Sequence, residues 1–293
     1  MGEKVPSAVE LGSDHPGFAD ADYRRRRAEI AALAQHYRPG DRIPDVRYTP
    51  DEDALWALLS GTLADLHRAF ACAEVVRAGH DLALPDGRVP QLREVTDRLG
   101  ELTGFRMGPV PGLVPTRTFY AALAERRFLS TQYLRHASVP LYTPEPDLAH
   151  ELIGHATMLA SPSLAQLYQE AGRASLRAET EPALEFFSRV FWYTIEFGVV
   201  YERNQVRAWG AGLLSSFGEI QAFRNAQIRP MDLLAMGTTD YDITHYQPVL
   251  FAGASLERQV DELGAFFASY DDDTYARLVA NHRSDERQGV PHG

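Results

Sequence analysis

Apolar positions recur with helical spacing along most of the chain and with strand alternation only in short pieces. Apolar residues at i, i+3 and i+4 mark helices over about 22–37, 51–78 and 91–103, the last opened by "VPQLREV" with Pro90 at its start. The Pro- and Gly-rich stretch "MGPVPGLVPTR" interrupts this pattern and predicts a loop leading into a helix over about 117–126. Further helices are predicted over about 146–160, 163–172, 181–200, 216–225 and 255–268. "FLSTQYLR" alternates as a short strand, and "QVRAW" and "QPVLFA" predict two more. The fold class that follows is mainly α with a small β component. Residues 1–21 lack a period and predict an extended arm, 22–275 form one catalytic-sized domain without an internal linker or repeat, and 276–293 form a polar tail in which "RSDERQGVPHG" is expected to fray.

A formal net charge of −11 argues against a nucleic-acid partner, which needs clustered Lys and Arg. The one dense basic run, Arg24 to Arg27, lies on a helical pattern and is expected to be a solvated face. A single cysteine, Cys72, excludes an internal disulfide framework. With no secretory signal pattern and no apolar run of the ~18 residues a membrane span requires, the chain is expected in the cytoplasm, without a membrane partner.

Against this background "TPEPDLAHELIGHATML" raises a question, because it places His150, Glu151 and His155 inside a stretch patterned as a buried helix. The spacing misses the zinc-protease H-E-x-x-H by one residue: five α-helical steps of about 100° leave the second side chain roughly 140° from the first. A straight α-helix would not aim both at one ion. Glu196 is the second anomaly, a carboxylate in the apolar run "SRVFWYTIEFGVVY", where burial is costly without a partner. Its partner is either Arg189 or Arg203, seven residues away on either side, or a metal shared with His150 and His155; two histidines and one carboxylate with open positions suit non-haem iron. A zinc hydrolase using His150, His155 and Glu151 is the rival from another class, and the spacing speaks against it. "GAGLLSSFGE" has neither a P-loop lysine nor the G-x-G-x-x-G spacing and predicts close backbone approach and hydroxyl placement at a small ligand.

"RRFLSTQYLRHASVPLYTPEPDLAHELIGHATML", "LAQLYQEAGRASL", "VFWYTIEFGVV" and "WGAGLLSSFGEIQ" resemble the catalytic domain of the pterin-dependent aromatic amino acid hydroxylases. The likeness extends from about residue 9 to about 270, through "DHPGFAD", "YRPGDRIP" and "TGFRMGPVPGL". It implies that His150, His155 and Glu196 bind one Fe(II), and that a tetrahydropterin and O2 hydroxylate the ring of a free aromatic L-amino acid. Among the members, phenylalanine hydroxylases are most similar, implying L-phenylalanine to L-tyrosine. The meta position, and tyrosine or tryptophan as substrate, stay open as alternatives.

The resemblance also implies a substrate site and a pterin site. Arg135 matches the arginine that grips the amino acid carboxylate, Asp147 the acid that orients it, Thr143 and Ser215 polar contacts, and Pro146 and Trp192 pocket walls, joined by Phe128, Tyr142, Tyr241 and Ile243. Phe119 matches the aromatic that stacks on the pterin, Gly112, Val114 and Thr116 the loop whose backbone bonds it, and Glu151 a carboxylate facing it. Phe191 stands where many relatives have Tyr, Leu129 replaces a polar residue, and Ser7 and Gly12 differ in an N-terminal loop near the pterin. With no heptad after about residue 270, a monomer or dimer is expected rather than the coiled-coil tetramer of animal members.

Overall fold

The computed structural model describes residues 11, 15–141, 146–243 and 245–288, with side chains described to Ala280. Ser7, Gly12, Tyr142 and Thr143 therefore lie outside the described residues, as does most of the predicted arm. Among the described residues the chain is mainly helical with two small sheets.

Helix α1 (Ala21–Ala34) starts where Asp20 caps the backbone N–H groups of Asp22 and Tyr23. Its basic run is not uniformly solvated. Arg27 is buried, with its guanidinium 4.1 Å over the Tyr133 ring and Nη2 donating to the Tyr133 hydroxyl at 3.0 Å. Arg26 pairs with Glu52 at 2.8 Å.

The helix expected over 51–78 is two, α2 (Pro50–Phe70) and α3 (Ala73–Leu82). A Thr49/Glu52 capping box starts α2. It ends where Ala71 and Cys72 turn extended to meet Ala208, the Cys72 N–H donating to its carbonyl at 2.9 Å. A tertiary strand contact thus overrides a continuous helical pattern. After α4 (Leu92–Leu102), strand β1 (Arg106–Pro109) pairs in parallel with β2 (Arg127–Ser130) across α5 (Thr116–Ala124). The strand expected over 128–135 is shorter, ending at Ser130.

The region expected to be helical over 146–160 contains a π-helical segment, His150–Ala156, followed by α6 (Thr157–Leu159). Next come α7 (Pro162–Arg177) and α8 (Glu181–Phe191), which passes into a second π-helical segment, Trp192–Glu196. Helix α7 packs backbone to backbone on α5, since a Cβ on Gly172 would lie 2.3 Å from the Ala124 nitrogen.

The larger sheet has strand order β4-β3-β6-β5, built from β3 (Val199–Glu202), β4 (Gln205–Ala208), β5 (Gln227–Pro230) and β6 (Val249–Gly253). Between β4 and β5 run α9 (Ala211–Ser215) and α10 (Phe217–Ala222), and α11 (Leu233–Thr238) lies between β5 and β6. Helix α12 (Leu256–Ser269) packs on α7, and α13 (Asp272–Gln288) follows. The polar tail expected from 276 begins as helix: Asp271 accepts the Thr274 N–H at 2.7 Å at the start, and Tyr275 and Leu278 pack on the core. No helix among the described residues is long and apolar enough to cross a membrane.

Candidate metal centre and aromatic cavity

A π-turn bonds residue i to i+5 rather than i+4, so residues five apart come nearly onto one face. This resolves the histidine spacing. Nε2 of His150 and Nε2 of His155 lie 2.9 Å apart, and Glu196, at the end of the other π-segment, brings Oε1 to 3.3 Å from His155 and Oε2 to 3.8 Å from His150. The three ligand atoms fall within 4.8 Å of one another. A metal about 2.1 Å from each imidazole, with a right angle between them, separates the nitrogens by about 3.0 Å. The donor set and its spacing therefore fit one ion.

The far side of each imidazole is held by a hydroxyl. Ser215 donates its own proton to the Ala211 carbonyl at 2.8 Å, so its lone pairs accept from Nδ1–H of His150 at 2.8 Å. Nδ1 of His155 meets the Tyr168 hydroxyl at 2.7 Å, and that hydroxyl reaches the Met158 sulfur at 3.4 Å. With the His150 proton on Nδ1, its Nε2 lone pair faces the centre, the orientation a ligand requires. Burial, reinforced by the neighbouring His155, pushes the His150 pKa down to about 4, which keeps the ring neutral. Burial raises the Glu196 carboxyl, but attraction and hydrogen bonding from His155, then His150, outweigh it and leave it lowered.

Close backbone packing makes this possible. A Cβ on Gly154 would lie 2.7 Å from the Ala211 oxygen, and one on Gly210 2.5 Å from the Glu196 oxygen. The glycines of "GAGLLSS" thus let α9 approach both π-segments and deliver Ser215 to His150. Ser215 was expected at the substrate; the structure engages its hydroxyl with His150 and Ala211.

Arg189 pairs with Glu185 and Asp240, and Arg203 takes no part, so the arginine alternatives for Glu196 fall away. Glu151 lies outside the ligand cluster. Its carboxyl instead borders the cavity beside the centre, where burial, then the Glu196 and Asp147 charges, hold its pKa well above the usual carboxylate range.

That cavity, about 310 Å³, is bounded by all three candidate ligands. Gly112, Val114, Thr116, Phe119, Glu151 and Phe191 line it together, and so do Pro146, Trp192, Phe128, Leu129 and Tyr241. Phe119 presents its ring edge-on to Phe128, with centroids 5.4 Å apart. Trp192 stacks on Tyr241 at 4.2 Å. Ile243 is off this lining and 67% exposed.

Arg135 and Asp147 form a buried pair off this lining, and Arg135 borders a different cavity of about 530 Å³, shared with Tyr23 and Tyr133. Asp147 Oδ2 accepts the Arg135 backbone N–H at 2.8 Å and Nε–H at 2.9 Å, and Oδ1 accepts Nη2–H at 2.8 Å and the His150 backbone N–H at 3.0 Å. Burial raises the Asp147 pKa, but the Arg135 charge and these bonds outweigh it, leaving a firm carboxylate. Asp147 thereby ties Arg135 to the first turn of the His150 segment. Residues that sequence reasoning missed are Tyr168, Gln247, which bonds the Trp192 indole at 3.0 Å, and the cavity pair Tyr120–Ser188, joined at 3.2 Å. None carries a motif, since each acts through a contact distant in sequence.

Comparison with known proteins agrees with this geometry. The sequence model of the biopterin-dependent aromatic amino acid hydroxylases matches residues 4–278. A phenylalanine 3-hydroxylase of Streptomyces coeruleorubidus is 44% identical over 278 residues, covering 95% of this chain and 99% of that one. Phenylalanine-4-hydroxylase of Rattus norvegicus is 40% identical over 272 residues, 89% of this chain and 59% of the relative, so the chain spans a little over half of such animal relatives. Among solved structures, phenylalanine hydroxylase of Chromobacterium violaceum with iron(III) and 7,8-dihydrobiopterin superposes with a TM-score of 0.71 at 32% identity, covering 75% of this chain and 82% of that one.

Proposed function

Because the chain belongs to the biopterin-dependent aromatic amino acid hydroxylases, we propose that it hydroxylates the ring of free L-phenylalanine, using iron, a tetrahydropterin and O2. The observation that carries this reading is the convergence of His150, His155 and Glu196 on one edge of an aromatic-walled cavity. Bound at these ligands, iron supplies oxygen activation, with two electrons taken from the reduced pterin.

The chain's own residues bind and orient. Phe119 offers a flat face to the pterin, with the Gly112–Thr116 backbone and Glu151 as polar partners. Glu151, whose burial favours the neutral acid, is placed to hydrogen-bond the heterocycle. Arg135 holds the amino acid carboxylate: Asp147 occupies its Nε–Nη2 edge, while its Nη1 has no protein partner among the described residues. Pro146, Trp192 and Tyr241 wall the side chain.

Phenylalanine is the first reading over tyrosine: Phe128, Leu129, Pro146 and Trp192 are the apolar part of the lining, and a ring seated against them would have its extra hydroxyl desolvated, an effect of up to about 10² in specificity. Para-hydroxylation to tyrosine is the first reading for the product. Meta-hydroxylation is the second, favoured by the 44% identity to a phenylalanine 3-hydroxylase. Anaerobic Fe(II) reconstitution followed by pterin-dependent turnover of Phe, Tyr and Trp tests the substrate, and chromatography against para- and meta-tyrosine tests the product. No turnover of any of the three amino acids by the iron-loaded protein would sink the reading.

A further inference from the structure

Trp192 is only half-buried, so packing alone does not fix its indole, and its N–H can only donate. Gln247, itself buried, accepts that N–H on Oε1 at 3.0 Å. The other end of the carboxamide, Nε2, donates to the carbonyls of Asp242 at 2.8 Å and His245 at 3.1 Å. A donor-only indole on one side and acceptor-only carbonyls on the other determine which end is oxygen.

The carbonyl-bearing segment also carries Tyr241, which stacks on Trp192 with an interplanar angle of 14°. One side chain therefore contacts both the Trp192 indole and the segment that carries Tyr241, which the Tyr193 hydroxyl also holds through the Asp240 carbonyl at 2.8 Å. Gln247 is itself anchored, its backbone N–H donating to Glu219 Oε1 on α10 at 2.7 Å. Gly218 on the same helix leaves room for the segment, since a Cβ there would fall 1.8 Å from the Tyr246 hydroxyl.

We propose that Gln247 is the positioning residue of the aromatic wall: acting through Trp192 and the Tyr241 segment, its carboxamide sets where the substrate ring lies relative to the metal ligands and hence which ring carbon is hydroxylated. The inference rests on the proposed amino acid site. A displacement of about 1 Å is enough to misalign a reacting carbon, with losses near 10²-fold. Gln247→Leu removes the hydrogen bonds to the indole and to the Tyr241 segment, leaving only ring contacts and the Tyr193–Asp240 bond to locate the wall. Gln247→Glu keeps the acceptor for the indole but sets a carboxylate oxygen against two carbonyls, so it releases the Tyr241 segment selectively.

The test compares wild type, Gln247→Leu and Gln247→Glu in three readouts: the ratio of para- to meta-tyrosine, hydroxylated product per pterin consumed, and the near-ultraviolet circular dichroism of the Trp192–Tyr241 stack, referenced to Trp192→Phe. Expected are a changed isomer ratio, about a tenfold loss of coupled turnover with the pterin KM unaltered, and loss of the Trp192 dichroic band. A variant that merely lost stability would lower total activity without moving the isomer ratio. If Gln247→Leu does not fold, Gln247→Glu carries the same three readouts. Wild-type isomer ratio and coupling in the folded variants overturn the inference while leaving the proposed function standing. An inactive wild type overturns the proposed function instead, and the dichroic band then decides whether the brace exists: an unchanged band overturns that too.

Discussion

Ser215 accepts the Nδ1 proton of His150 while giving its own proton to Ala211, so one hydroxyl fixes both the tautomer and the rotation of a candidate iron ligand. Ser215→Ala removes that acceptor while leaving all three metal ligands in place. Iron affinity is expected to fall about 10- to 100-fold, the usual cost of losing an outer partner of a ligating histidine. Tyr168→Phe should act alike through His155. Isothermal titration with Fe(II) under anaerobic conditions measures both, and wild-type affinity in the two variants would show that neither hydroxyl orients its histidine.

Replacing His150, His155 or Glu196 by Ala is expected to abolish stoichiometric iron and turnover, since three ligands leave no redundancy. Glu151→Gln, outside the cluster, should retain iron. Metal analysis of the purified variants separates this arrangement from a hydrolytic zinc site, which would hold zinc and keep it in the Glu196 variant.

Gly154→Ala forces a methyl group to within 2.7 Å of the Ala211 oxygen. Helix α9 must move, at a cost of about 2 kcal/mol, and it carries Ser215 away from His150. The expected result is a lower melting temperature together with weaker iron binding. Full iron affinity at reduced stability would show that α9 and the histidine segment move as one body.

Burial lifts the Glu219 pKa from 4.5 to about 7, against a smaller lowering by the Gln247 N–H. Because the folded value exceeds the unfolded one, stability is fully present below pH ~4.5 and is lost as pH rises through ~7, by up to about 3 kcal/mol. Glu219→Gln keeps an acceptor for Gln247 and cannot ionise. Its melting temperature should match wild type near pH 4.5 and exceed it at pH 8; an equal offset at both pH values would contradict the linkage.

Phe119→Ala is expected to raise the pterin KM by about tenfold while leaving iron content intact, because it removes one ring face of the cavity but no ligand. Parallel loss of iron would assign Phe119 to the core instead.

The helical majority of the fold was legible because a 3.6-residue period survives in most segments. Where it misled, a distant contact had intervened. The run over 51–78 is periodic throughout, yet the Cys72 N–H is claimed by Ala208 and the helix breaks. At the metal centre the residue types were legible and their geometry was not. Five-residue spacing contradicts an α-helix, and only the π-turn reconciles His150 with His155. The five residues matched to the pterin by resemblance line one cavity together with Phe191, whereas Ile243 faces solvent and the Ser215 hydroxyl meets His150. Resemblance carries identities, but not which side of a wall a side chain takes.

The π-turn at His150–Ala156 also places the register of the two histidines within a single residue of chain length. Excising Ile153 would leave "HELGH", whose histidines an ordinary α-helix presents on one face in the zinc-peptidase register, with Glu151 poised beside them. With the full run from His150 to His155 in a π-turn, His155 instead meets the Glu196 carboxylate from a separate segment, and Glu151 borders the cavity. The local helical pitch thus decides which side chains of one short segment share a face.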